Sequence, residues 1–299
     1  MKFDVIGFGS AVVDIFVNTE ISEKNNFISY PVGEKILVKD LKFDIGGGGT
    51  NTSVAFSRLG FKTGCISVVG GDDNGKKVLD LLKKEKVQFL GKIEKDSMTG
   101  CSIILDSRGG DRTILTYKGV NDEISLRDIK KFKTNWIYLS SLLGQSFKTQ
   151  KKLVEILKKR GTKIAFNPSS YLIKNENLGP ILKLTDILIL NKEEARMLVG
   201  GKEKDLLKGL YQLTRGIVVI TDKDKLILCY DGNKKYFLQP NKIKVVERTG
   251  AGDAFASGFV AGQIAGRSVQ ESLRLGLKES ESVITHFGAK NILLRMKLK

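Results

Sequence analysis

At 299 residues, 41% apolar and 28% charged, the chain is long enough to bury a core in one large domain or a domain with an appendage, and its balance is that of an ordinary soluble globular protein. The formal net charge of +17 is not ordinary, but the lysines lie mostly on polar faces of helical patterns such as 76–84 and 150–160, with no basic tail or arginine block; this argues against nucleic acid as a partner and for anionic small molecules. Three distant cysteines, Cys65, Cys101 and Cys229, exclude a disulfide framework, and the single His286, beside Phe287, excludes a histidine-rich metal centre and reads as structural.

Met1-Lys2-Phe3-Asp4-Val5-Ile6 places an acid where a signal peptide has its apolar core, and no apolar run approaches the ~20 residues of a membrane helix, so a cytoplasmic protein without a membrane partner is expected. Residues 3–8 read as a buried strand with a flexible exit at Gly7-Phe8-Gly9-Ser10. Residues 11–17 continue as a second strand that carries one acid, Asp14, among Val12, Val13, Ile15, Phe16 and Val17. An unpaired buried carboxylate is costly, so Asp14 either faces solvent by strand alternation or faces a cleft and binds hydroxyls. Residues 18–31 are polar and irregular, and 35–45 alternates as a half-exposed antiparallel strand. Gly46-Gly47-Gly48-Gly49 follows, then Thr50-Asn51-Thr52-Ser53 as capping residues of a helix ending at Leu59-Gly60; the glycines are open to three readings, an anion cradle, a hinge or a plain linker.

The pattern then runs strand 65–69, helix 74–86, strand 87–90. Residues 102–105 and 113–117, joined by Asp106-Ser107-Arg108-Gly109-Gly110-Asp111, read as a half-exposed hairpin that pairs with 35–45 in a small sheet outside the main core. Strand 136–140, helix 150–160, strand 163–166, helix 177–184, strand 187–190, helices 192–199 and 202–213 and strand 217–220 alternate as parallel βα units, with a late hairpin of 226–230 and 235–238. The fold expected from pattern is a mostly parallel α/β sandwich with a β appendage.

Ligands of open α/β sheets bind beyond the carboxyl ends of the strands, where three motifs converge. The first is the glycine run ending at Asn51. The second is Asn191-Lys192-Glu193-Glu194, whose Asn191 and Glu194 share one helix face; the pair suits either a capping box or a water-bridged Mg²⁺ and phosphate site. The third is Arg248-Thr249-Gly250-Ala251-Gly252-Asp253, placed after a β-like run, 242–247, at the start of a helix reaching Gly266. Such a helix start presents unpaired N–H groups to an anion, and Gly250 and Gly252 admit a phosphate. Asp253 is then either an ordinary first-turn acid or a general base beside an anion hole. Small residues Ala254, Gly258 and Ala261 recur at helical spacing, which suggests close packing on a sheet. A dinucleotide site at Gly7-Phe8-Gly9 is disfavoured because Val12 stands where the third glycine belongs.

Gly9-Ser10 with Asp14, the stretch from Gly46 to Gly60, Asn191-x-x-Glu194, and Thr249 to Gly258, in that order over nearly the whole chain, resemble the ribokinase-like carbohydrate kinases of phosphofructokinase B type, a family that includes adenosine kinase. The resemblance implies an α/β fold, a mostly parallel sheet flanked by helices with a small β-sheet lid: core 1–14, 46–95 and 119–299, lid 15–45 and 96–118. It implies Asp253 as the base, with Gly250, Ala251 and Gly252 stabilising the transferring phosphoryl group. Asp14, Gly46, Gly47, Gly48 and Asn51 match substrate-binding positions, and Asn191, Thr221 and Gly252 nucleotide-binding ones. Glu194 matches the position that organises Mg²⁺ through water, and Glu247 and Thr249 the region where many members hold a monovalent cation such as K⁺. The chain departs from the pattern at Thr221-Asp222, Lys225, Glu247-Arg248, Asn167-Pro168 and Lys278-Glu279-Ser280-Glu281.

The implied activity is transfer of the γ-phosphoryl group of ATP to a hydroxymethyl group of a ribose-like sugar. The alternatives are a nucleoside, its base stacked on Phe16, Phe43 or Tyr117, a sugar phosphate held by Arg108 or Arg112, or a non-catalytic nucleic-acid-binding relative. An edge strand of the lid offers a surface for a homodimer.

Overall fold

Apolar runs without alternation become strands covered on both faces, and the computed structural model, which describes residues 1–25, 27–108, 112–200 and 203–298, builds its main sheet from them. The first half of the chain forms β1 (Lys2–Phe8), β2 (Val12–Asn18), β3 (Asp40–Gly46), α1 (Gly48–Arg58), β4 (Thr63–Ile66), β5 (Val68–Gly70), α2 (Asp73–Lys84), β6 (Gln88–Phe89), β7 (Lys92–Glu94), β8 (Gly100–Asp106), β9 (Arg112–Tyr117) and β10 (Lys133–Ser140). The second half forms α3 (Gly144–Lys158), β11 (Lys163–Asn167), α4 (Ser170–Asn175), α5 (Gly179–Leu182), β12 (Ile187–Asn191), α6 (Lys192–Val199), α7 (Glu203–Thr214), β13 (Ile217–Thr221), β14 (Ile227–Tyr230), β15 (Lys235–Leu238), α8 (Ala251–Ile264) and α9 (Val269–Ile284).

The main sheet has nine strands in the order β15-β14-β13-β12-β11-β10-β1-β4-β6. All ladders from β13 across to β6 are parallel; the hairpin β14–β15 closes one edge antiparallel. Alternation along each strand splits the core in two. Ile6, Leu139, Leu190 and Ile220 join Phe147, Val154 and Leu157 of α3 on one face. Val5, Tyr138, Ile189 and Val219 join Phe56 of α1 and Phe255 and Phe259 of α8 on the other. Among the described residues no helix is long and apolar enough to cross a membrane.

A separate four-stranded sheet runs β3-β2-β8-β9. The two half-exposed segments share it as expected but do not touch, because β2 lies between them. Only Asp40–Gly46 of the expected strand 35–45 forms, with Asn18↔Asp40 the last register pair of its ladder. The sheet has two distinct faces. Ile15, Phe43, Ile103 and Leu115 lie in register on the outer one, while Asp14, Asp44 and Ser102 lie in register on the inner one. Of the loop after Asp106, residues 109–111 lie outside the described residues, as does Lys202, the expected start of α7.

Other local expectations fail for identifiable reasons. Residues 242–247 form no strand: β15 already ends the sheet, and the Val246 and Glu247 amides donate to the Ile284 carbonyl at 2.8 and 3.3 Å instead. Thr50 to Ser53 lie inside α1, whose N-cap is Gly47; the Thr50 and Thr52 hydroxyls donate back to the Gly46 and Gly48 carbonyls at 2.5 and 2.6 Å. Helix 177–184 is replaced by α4, capped by Ser169, and by the four-residue α5 with proline in its first turn. The small residues of α8 serve partly another helix: a Cβ on Gly258 would lie 2.9 Å from Gly276 Cα of α9. Cys65 and Cys229 are buried free thiols, pushed up to about 12 by burial, and His286 is exposed beside Thr285.

Candidate active site

Strands β10, β11, β12 and β13 each end in a polar residue at the carboxyl end. Ser140 pairs in register with Asn167, and Asn191 with Thr221. Together with Ser10, Gly48, Glu194, Gly250, Gly252 and Asp253 they line a cleft of about 410 Å³. This is where an open α/β sheet leaves its helix N-termini and strand ends free for ligands.

The floor of the cleft is the start of α8. Gly250 is its N-cap with φ 79°, in the left-handed region, and a Cβ there would collide with Ala289, so glycine is required on both grounds. Gly252 has no neighbour within 4 Å of where its Cβ would sit, which leaves open space for an anion against the helix amides. Asp253 opens to the cleft and is half-buried as a residue, while its carboxylate is enclosed by protein. Burial raises its pKa above the usual carboxylate value, opposed by the Asn51 hydrogen bond and by the charge of Lys290. No side chain caps α8, so Asp253 is not spent as a cap.

A hydrogen-bonded chain fixes this carboxylate. Asn51 Nδ2 donates to Asp253 Oδ2 at 2.8 Å, and Lys290 Nζ donates to Asn51 Oδ1 at 2.6 Å and to the Ile45 carbonyl. The lysine leaves no choice of amide orientation at Asn51. Asp14 lies on the inner face of the small sheet, opposite Asp44 on one side and Ser102 on the other. Its pKa is pushed up to about 6, first by burial, with Lys290 and the Ser102 hydroxyl opposing and Asp44 and Asp253 adding to the rise. A Cβ on Gly46 would collide with the Asp14 carboxylate, one on Gly48 with the Ser140 side chain, and those on Gly47 and Gly49 with the backbone at Ser10 and Gly9; the glycines of this run are close-packing positions, not a linker. Gly47, with φ 95°, turns the chain into α1.

At the other end of the cleft Asn191 and Glu194 form a complete capping box at 2.8 and 2.9 Å, and Glu194 Oε1 also accepts from the Ser170 amide at 3.2 Å. The pair is thus a capping box whose acid also lines the cleft. Burial raises the Glu194 pKa against its backbone hydrogen bonds. Its oxygens already have backbone partners, and among the described residues no group of three or more His, Cys, Asp or Glu is placed to hold a metal ion, so Mg²⁺ would fit Glu194 only through water. Thr221 lines the cleft and donates weakly to the Leu190 carbonyl at 3.4 Å. In α9 the departure at Glu279 is fully buried, its pKa pushed up to about 7 by burial.

Two expectations are displaced. Glu247 and Thr249 do not present a ready cation site, because Arg112 of β9 donates to Glu247 Oε1 and, at 2.7 Å, to Thr249 Oγ1. Arg112 is thereby removed from the role of phosphate ligand. Of the aromatic candidates, Phe43 and Tyr117 are exposed on the outer face of the small sheet, away from Asp14. Phe16 is on the inner face, but its ring is taken by Phe287 at 4.5 Å. Sequence reasoning missed Ser140, Ser141 and Lys118, which line the cleft, and Lys290. The rule that ligands sit at strand carboxyl ends would have found Ser140; nothing local points to Lys290.

Residues 4–295 match the family described as pfkB family carbohydrate kinase. An uncharacterized sugar kinase of Archaeoglobus fulgidus is 29% identical over 251 residues, covering 81% of this chain and 99% of its own length. Ribokinase of Arabidopsis thaliana, solved with ribose and ATP, superposes with a TM-score of 0.81 over 100% of this chain and 97% of its own, at 21% identity. Adenosine kinase of Sinorhizobium meliloti does so with a TM-score of 0.82 over 98% and 97%, at 20% identity. These likenesses give the ribokinase-like fold, and since the family match takes in the whole cleft and the small sheet, the chain belongs to the pfkB family of carbohydrate kinases, phosphotransferases with an alcohol group as acceptor.

Proposed function

We propose that the chain transfers the γ-phosphoryl group of ATP to a hydroxymethyl group of a neutral, ribose-like sugar. The observation that carries this reading is the convergence of Asp253, Asn51 and Asp14 from helix, glycine turn and small sheet around one glycine-lined helix start. Asp14 and Asn51 hold sugar hydroxyls beside Gly46, Gly47 and Gly48. Asp253 Oδ1, the oxygen not taken by Asn51, accepts the hydroxymethyl proton as that oxygen attacks the γ-phosphorus and the bond to the ADP oxygen breaks. The amides of Gly250, Ala251 and Gly252 receive the charge that develops on the phosphoryl oxygens. Asn191 and Thr221 face the nucleotide, and Glu194 would hold Mg²⁺ through water, where the ion would supply neutralisation of phosphate charge.

Two features favour a neutral sugar. Asp14, Asp44 and Asp253 surround a single lysine, an environment that repels a phosphorylated acceptor. Phe43 and Tyr117, the rings that would stack a base, face outward. The A. thaliana enzyme, solved with ribose, is a precedent for the sugar; the S. meliloti enzyme keeps the nucleoside reading as the alternative. ADP release with Mg·ATP across sugars, nucleosides and sugar phosphates tests the choice. A neutral sugar is expected to exceed every nucleoside and sugar phosphate by roughly tenfold or more in kcat/KM, a margin of about 1.4 kcal/mol; preference for adenosine, cytidine or fructose 6-phosphate overturns it.

In this reading segments 15–45 and 96–118 act as a lid on the core of 1–14, 46–95 and 119–299, closing over the sugar. The lid's outer face leaves Leu41 and Phe43 exposed on one edge strand and Leu115 and Tyr117 on the other, with Ile103 between them, an apolar surface that a second copy of the chain would cover. Sedimentation velocity should give a dimer that Phe43→Glu dissociates; a wild-type monomer at micromolar concentration refutes this.

A further inference from the structure

The segment between β15 and α8 has no regular secondary structure, yet it ends at the glycine turn that receives phosphate. Its shape must come from side chains. Glu247 Oε1 gathers three donors of its own segment, the Arg248 amide at 2.8 Å, the Thr249 amide at 2.9 Å and the Thr249 hydroxyl at 2.8 Å. A fourth comes from the small sheet, the guanidinium of Arg112, which also reaches Thr249 Oγ1. Burial alone would push the Glu247 carboxyl up; the Thr249 bonds and Arg112 outweigh it and hold the group below its ordinary range. Across the β8–β9 ladder Asp106 pairs in register with Arg112, and Lys42 is the second cation near it. Lys42 is itself paired with Asp40, so the charge that offsets Glu247 at this position is the Arg112 guanidinium, and it stands where a further cation would be drawn in.

We infer that Arg112 is a cation built into the chain, standing where a dissociable monovalent ion would order the phosphate-binding turn, and that it makes the enzyme independent of K⁺ while tying the turn's shape to closure of the small sheet. The inference rests on the kinase reading of the cleft. A guanidinium suits this position because its charge is fixed, it is weakly hydrated, and its donors are set in one plane. The cost is that the guanidinium cannot reach the turn without the sheet, so this fourth contact and its charge are in place only when the lid is down. Arg112 is thus a positioning residue, acting through Glu247 and Thr249 on Gly250.

The test compares wild type, Arg112→Lys and Arg112→Ala in K⁺ and in tetramethylammonium salts of equal ionic strength, by turnover and by the melting temperature of the ligand-free protein. Wild-type kcat should change less than about twofold between the salts. Arg112→Ala should lose roughly 10- to 100-fold in tetramethylammonium, the range of a charge-assisted hydrogen bond. It should recover severalfold on adding K⁺ or guanidinium at millimolar concentration, and Arg112→Lys should remain within about tenfold of wild type. K⁺ should raise the melting temperature of Arg112→Ala and leave that of wild type unchanged. Activation of wild type more than about fivefold by K⁺, or an alanine variant that neither cation rescues in turnover or melting, overturns the inference. The melting comparison needs no substrate, so it fails or succeeds separately from the assignment of the reaction; if Arg112→Ala does not fold, the wild-type salt comparison decides alone.

Discussion

Asp253→Asn lowers kcat by roughly 10²–10⁴-fold and leaves the affinity for ATP within a few-fold. The substitution keeps the size of the side chain and can keep the contact with Asn51 at Oδ2, because the amide of Asn51 is free to donate to the new carbonyl oxygen. What it removes is the acceptor for the hydroxymethyl proton. The glycine turn at Gly250 and Gly252 is untouched, so in the proposed reaction the phosphates keep the same helix start. Steady-state kinetics in both substrates separates these effects. Wild-type-like turnover would refute the role of base, and a loss confined to KM for ATP would move Asp253 from chemistry to binding. The pH profile gives an independent reading. Burial raises the folded pKa of Asp253, so activity that requires its ionised form should fall as pH drops through a point above the ordinary carboxylate range. That limb should vanish in the asparagine variant.

Lys290→Met is the second large expected effect, and it acts on both stability and rate. Lys290 is 3% exposed and is the cation nearest to Asp14, Asp44 and Asp253. Its pKa is lowered by burial, which the three carboxylates oppose. Removing one partner from a buried charge cluster costs on the order of 3–5 kcal/mol, because the remaining charges stay buried without compensation. At pH 7 this should lower the melting temperature by about 10 °C. The sign with pH follows from linkage. Without the lysine the pKa values of Asp14 and Asp253 rise further, so the variant should lose most at alkaline pH and approach wild type as the carboxyls protonate below pH 6, the value near which Asp14 titrates. For the same reason the acid limb of kcat/KM should move to higher pH. A merely structural lysine would lower stability without moving that limb. Equal stability of the two proteins at pH 8 would refute the charge argument.

The glycine-rich helix start, the strand that carries Asp14 and the Asn191–Glu194 cap were legible because each is local. A helix N-terminus, a left-handed glycine and an i, i+3 capping box are set by a few neighbouring residues, and the chain writes them in one stretch. The βα alternation was legible for the same reason, since continuous apolar strands such as Ile187–Asn191 have few other places to go. Errors fell where partners decide. Residues 242–247 have the composition of a strand but reach the sheet after its edge is filled. Phe43 and Tyr117 are plausible stacking rings until register puts them on the outer face.

By itself, then, the sequence carried the marks of the family and so of its class of reaction: a glycine-lined helix start with an acid in its first turn, an acid within an apolar strand near the beginning, and a capping box with a second acid. Tertiary structure alone decided how those acids are kept in useful states. Lys290 meets Asn51 across 239 positions, and Arg112 meets Glu247 across 135. No periodicity or spacing encodes such pairs, because the chain between them is free to carry the two groups anywhere until the sheets are assembled, and only burial makes their meeting necessary.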